Sequence, residues 1–120
     1  MSIKILVVDD DLSNLELIKA ELEDEQNYLV TTAITGERGM QLFQEGSFDF
    51  VVLDFRLPGI DGAELYKKMK QLRPRIPIVI FSGYQNKYPG IPEKDCIFKS
   101  ATHGSDELKK VIKAHVSGGT

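Results

Sequence analysis

Residues 3 to 8, IKILVV, are almost uniformly apolar and mostly β-branched. A run this short and this apolar predicts a strand buried on both faces. The period then changes. Leu12, Leu15, Ile18 and Leu22 recur at helical spacing, which predicts a helix capped by Asp11, running to about Asp24 and burying those four side chains. Tyr28 to Ile34 reads as a second strand, and Thr35 as the cap of a second helix. Phe50 to Leu53 reads as a third buried strand that ends at Asp54. Asp61 caps a helix carrying Leu65, Met69 and Leu72, which stops near Pro74. Ile78 to Phe81 is a fourth strand.

Between residues 83 and 94, GYQNKYPGIPEK, the periodicity disappears, and the prolines and glycines there argue against a regular helix of normal length. Cys96 to Phe98 reads as a brief fifth strand. A last helix starts at Ser105 or Asp106, with Leu108, Val111, Ile112 and His115 or Val116 along one side. Alternating strands and helices predict an α/β fold, a parallel sheet wound on both faces. Such sheets bind ligands beyond the carboxyl ends of their strands.

Composition narrows this picture. The chain has 120 residues, 42% apolar and 28% charged, which suits one ordered domain over residues 1–116 with a flexible tail or linker start at 117–120. The net charge of −3 carries no basic footprint for nucleic acid. Cys96 is the lone cysteine, so no internal disulfide forms. The apolar run at residues 3–8 is too short for a signal peptide or a membrane span. The expectation is a soluble cytoplasmic protein, monomeric as an isolated domain.

The chemistry sits where strands end. Asp9 and Asp10 leave the first strand and Asp54 leaves the third. If those strands are neighbours, the carboxylates converge, and like charges about 4 Å apart repel by roughly 4 kcal/mol at an effective dielectric of about 20. Either a proton is retained or a cation sits among them. Oxygen ligands without histidine or cysteine suit a hard ion, Mg²⁺ first and Mn²⁺ second. Ser82 closes the fourth strand and Lys99 the fifth. A hydroxyl and an ammonium facing a metal-bound carboxylate make a site for a tetrahedral anion.

The set Asp9-Asp10, Asp54, Ser82 and Lys99, with LDFRLPGIDG at 53–62, resembles a response-regulator receiver domain over nearly the whole chain. Each motif alone is weak; together, in order, they are specific. The resemblance implies a flavodoxin-like strand order 2-1-3-4-5. It implies that Asp54 accepts a phosphoryl group from a phosphohistidine on a histidine kinase or phosphotransfer protein. It also implies that Mg²⁺ is held by Asp9, Asp10, Asp54 and the backbone carbonyl of Arg56, and that Lys99 and Ser82 engage the phosphoryl group. Ser13, Leu17 and Ala20, on the first helix opposite its core stripe, are the expected contact with the donor.

The chain departs from the family's usual pattern in places. Ser100 stands where receivers commonly carry proline, and Cys96 where they carry a switch aromatic. The stretch from Ser82 to Lys99 is short, so the helix between the fourth and fifth strands is expected to be shortened or absent. By the resemblance, Arg56 and Tyr84 occupy the two positions that in this family tune dephosphorylation; both are large, which predicts a long-lived phosphoaspartate that decays faster when both are alanine.

Other readings fit less well. Asp11 is sufficiently explained as a helix cap, and His103 and His115 have no metal-ligand companion at useful spacing. A phosphoaspartate hydrolase would need a second acid at position 56, which is arginine. A flavin carrier would need a phosphate loop where this chain has acids. A degenerate receiver, binding partners without phosphorylation, is the remaining alternative.

Overall fold

The computed structural model describes residues 2–83, 90–99 and 106–118. Its elements, in chain order, are β1 (Ile3–Val8), α1 (Leu12–Glu23), β2 (Tyr28–Ala33), α2 (Gly36–Glu45), β3 (Phe50–Leu53), α3 (Gly62–Leu72), β4 (Ile78–Ser82), β5 (Cys96–Phe98) and α4 (Asp106–Gly118). The strands form one parallel sheet in the order β2-β1-β3-β4-β5.

Alternation within each strand divides the core in two. Ile5, Val7, Phe50, Val52, Val79, Phe81 and Ile97 face one side, where Leu15, Ile18 and Leu22 of α1 and Leu108 and Ile112 of α4 cover them. Leu6, Val8, Val51, Leu53, Ile78 and Ile80 face the other, under Phe43 of α2 and Leu65, Tyr66 and Met69 of α3. This is the doubly wound arrangement that the alternating pattern predicts.

The caps are also as predicted. Asp11 accepts hydrogen bonds from the backbone N–H groups of Ser13 and Asn14, Thr35 from Arg38, and Asp61 from Glu64. Two apolar helix positions miss the core: Leu72, the last residue of α3, is 54% exposed, and Leu12 is the other. Leu12 does not join the buried stripe of α1; it is 62% exposed. It is the first residue of the helix, and only the later turns bring Leu15, Ile18 and Leu22 down onto the sheet. The last helix runs to Gly118, two residues into the predicted tail.

Among the described residues, the connection from β4 to β5 contains only a 3₁₀ turn, Glu93–Asp95. Ile91 packs into the second core, and Asp95, buried, accepts a 2.5 Å hydrogen bond from the Tyr66 hydroxyl. Burial, and then the Asp95 bond, push the Tyr66 phenol above its ordinary range. The Asp95 bond thus ties the turn to Tyr66 of α3. Ser100 and Tyr84 lie outside the described residues, as does His103.

Candidate functional site

The sheet order places β1 beside β3 with Val8 opposite Leu53, so the residues that follow each strand emerge together. The N–H of Asp54 donates to the carbonyl of Val8 at 2.9 Å, and that of Asp9 to Ala33 at 3.0 Å. These bonds fix both aspartates at the carboxyl edge. Asp9, Asp10 and Asp54 each present a carboxylate oxygen, and the three oxygens lie within 4.8 Å of one another.

The three acids differ in setting. Asp9 is buried; one oxygen accepts from the Asp11 N–H at 2.9 Å and the other from the Lys99 ammonium at 3.0 Å. Asp10 is exposed. Asp54 is partly buried, accepts from the Phe55 N–H at 2.9 Å and stands 3.7 Å from the Lys99 Nζ. Burial, foremost, pushes the Asp54 carboxyl up to about 6; Lys99 pulls it down, Asp9 pushes it up, the Phe55 N–H pulls it down and Asp10 adds a last upward push. Three carboxylates thus gather at one edge, and among the described residues the Lys99 ammonium pairs with two of them, Asp9 and Asp54. An all-oxygen set with excess negative charge fits a hard divalent cation.

Lys99 follows β5, and its backbone N–H donates to the carbonyl of Ser82 at 2.9 Å. That bond ties the lysine to the last residue of β4. Ser82 is fully buried. Below Asp54, the chain turns through Gly59, whose φ of +85° is a left-handed conformation that glycine adopts without a steric penalty. It returns to donate from the Gly62 N–H to the Phe55 carbonyl at 2.7 Å.

Of the residues singled out in the sequence, the structure brings Asp9, Asp10, Asp54 and Lys99 into one cluster and sets Ser82 on the strand beside it. Arg56 is exposed, two residues beyond Asp54. Ser13, Leu17 and Ala20 are all exposed on α1, with Leu17 57% accessible. Cys96 is half-buried, its Sγ 3.6 Å from the carbonyl of Pro92. Sequence reasoning missed Phe81. It sits one residue before Ser82, and the Lys99 Nζ lies 5.4 Å from the centroid of its ring. The available signal was an aromatic ring at the exit of a strand that ends in the site.

The chain is similar to known proteins over most of its length. The chain matches the sequence profile of the response regulator receiver domain over residues 5–114. It is 36% identical over 85 residues, 71% of its length, to the transcriptional regulatory protein ZraR of Escherichia coli K12. It is 35% identical over 88 residues, 73% of its length, to the alkaline phosphatase synthesis transcriptional regulatory protein PhoP of Bacillus subtilis. The match spans 19% of ZraR and 36% of PhoP, so the chain corresponds to a fraction of these relatives. Among solved structures, the response regulator TrrA of Thermotoga maritima in complex with Mg²⁺–BeF superposes with a TM-score of 0.82 at 33% identity, covering 94% of this chain and 97% of TrrA. TrrA in complex with the histidine kinase ThkA gives a TM-score of 0.81 at 31% identity, covering 97% and 99%. Among the described residues no helix is long and apolar enough to cross a membrane.

Proposed function

The chain belongs to the response regulator receiver domain family, and from that premise we propose that it is a phosphoacceptor switch in which Asp54 is the residue phosphorylated. Receiver domains are signalling switches rather than enzymes in the ordinary sense. The donor is a phosphohistidine on a histidine kinase or phosphotransfer protein. A carboxylate oxygen of Asp54 attacks the phosphorus, the phosphorus–nitrogen bond breaks, and the departing imidazole keeps the electron pair and takes up a proton. The product is an acyl phosphate, which water later hydrolyses.

The convergence of Asp9, Asp10 and Asp54 with Lys99, 3.0 Å from Asp9 and 3.7 Å from Asp54, carries this reading. A divalent ion, Mg²⁺ first, would be held by the three carboxylates together with the carbonyl of Arg56, and would supply positive charge against the phosphoryl oxygens. Lys99 is free to follow the negative charge from the carboxylates onto those oxygens as the new bond forms. Ser82 supplies a hydroxyl donor from the end of β4. The Mg²⁺–BeF complex of TrrA, a similar structure, supports the choice of ligand class.

Intact mass after incubation with a small phosphodonor and Mg²⁺ tests this reading. One added phosphoryl group, absent in Asp54→Asn, is expected. An unmodified wild-type protein would instead favour a receiver that binds partners without phosphorylation.

Donor docking is proposed on the exposed face of α1, where Leu17 lies between Ser13 and Ala20 and all three are accessible. The kinase complex of TrrA supports a protein donor. Leu17→Asp is expected to slow phosphorylation by a cognate protein donor about tenfold or more, as loss of a buried apolar anchor does at interfaces. Phosphorylation by a small donor should be unchanged. Equal slowing with both donors would remove α1 from the docking face.

A further inference from the structure

We propose that Phe81 is a positioning residue for Lys99, its ring face holding the ammonium over the phosphoacceptor carboxylate. Among the described residues, three groups stand around that ammonium: Asp9 at 3.0 Å, Asp54 at 3.7 Å, and the Phe81 ring with its centroid at 5.4 Å. Phe81 is 4% exposed and belongs to the core beneath α1 and α4, with Val79, Ile97, Leu108 and Ile112. Its ring is fixed by packing, whereas a lysine side chain is a flexible four-carbon stem. The rigid partner therefore sets the place of the mobile one.

The chemistry gives the ring a role that a carboxylate cannot fill. The face of an aromatic ring carries negative potential from its quadrupole and attracts a cation within about 6 Å. It has no formal charge and no hydrogen-bonding lone pair. Asp9 and Asp54 both compete for the ammonium, and Asp54 ceases to be a full anion once its oxygen bonds to phosphorus. The ring's attraction is the same before and after that step. It keeps the ammonium above the site while the negative charge moves from carboxylate to phosphoryl oxygens. Among the described residues, the Lys99 backbone is held by its N–H to Ser82 at 2.9 Å, a bond that places the Cα and does not by itself fix the stem.

The inference rests on the phosphoacceptor reading, and the experiment separates the two. Phenylalanines bearing one, two or three ring fluorines are placed at position 81 in the full chain. Fluorination withdraws the negative face while nearly preserving size. Phosphorylation by a small phosphodonor with Mg²⁺ is followed by intact mass, and thermal unfolding checks the fold. The rate is expected to fall stepwise, reaching about threefold to tenfold below wild type with three fluorines, at a nearly constant melting temperature. In parallel, proton NMR should find the Lys99 Hε signals displaced upfield by the ring in wild type and returned to their ordinary position in Phe81→Leu. A phosphorylation rate that stays at the wild-type value through the fluorinated series overturns this inference alone. So do Lys99 Hε signals at their ordinary position in wild type. A wild-type protein that accepts none overturns the phosphoacceptor reading and this role with it.

Discussion

Asp54→Asn is expected to make the protein more stable in the absence of divalent ions at pH 8, and to remove most of its stabilisation by Mg²⁺. In the folded chain the Asp54 carboxyl titrates at about 6, against 3.8 for an unperturbed aspartate. Burial is the largest cause and outweighs the pull of Lys99 and of the Phe55 N–H, with Asp9 and Asp10 adding to the upward push. The folded state thus holds this proton more tightly than the unfolded chain does. Below pH 3.8 both states are protonated and there is no penalty; the penalty grows as pH rises to about 6 and is complete above it. Allowing for solvent and for coupling to its neighbours, its size is about 1–2 kcal/mol. A domain of this length should gain a few degrees in melting temperature when it is lifted. The asparagine amide can still accept from the Phe55 N–H, so the local turn survives. With Mg²⁺ added, wild type should gain stability by mass action and the variant much less, having lost one of three carboxylates. Calorimetry at pH 8 with and without Mg²⁺ checks both halves, and a metal-free variant less stable than wild type would contradict the first.

That effect was legible in the sequence because strand ends are legible. Three apolar runs stop abruptly at Asp9, Asp54 and Ser82, and in a parallel sheet the carboxyl ends meet on one edge. The placement of Leu12 was not. Helical periodicity assigns a face, but it does not say at which turn that face reaches the sheet, and Leu12 at the first position remains 62% exposed. Nothing within PEKD marks Asp95 for burial, yet it is buried against the hydroxyl of Tyr66, 29 residues away. Phe81 reads as one more apolar strand residue. Its contact with Lys99 depends on the packing of β4 against β5, where Ser82 pairs with Phe98. In each of these cases the determinant is a tertiary distance between residues far apart in sequence, which periodicity does not encode.

The start of α3 joins fold and site most directly, and Gly62→Ala is expected to weaken both. By helix propensity alone the substitution should help, since alanine is favoured over glycine by about 1 kcal/mol within a helix. Packing opposes this. A Cβ at position 62 would lie 2.2 Å from the carbonyl oxygen of Asp54 and 2.8 Å from the Cα of Phe55. Both are backbone atoms, so the strain cannot be relieved by a side-chain rotation. The Gly62 N–H also donates to the Phe55 carbonyl at 2.7 Å, so the two segments cannot separate without losing that bond. Overpacking of this kind costs about 1–3 kcal/mol, which outweighs the propensity gain. Relaxation would have to move the peptide that carries Asp54, and with it the carboxylate that faces Asp9 and Lys99. A lower urea midpoint at unchanged slope is expected, with slower phosphorylation by a small phosphodonor under conditions where the variant is fully folded. A surface alanine on the same helix, Gln71→Ala, should alter neither. If Gly62→Ala matched or exceeded wild-type stability, helix propensity would be the stronger force here, and the close approach of α3 to Asp54 would not be what holds the site in place.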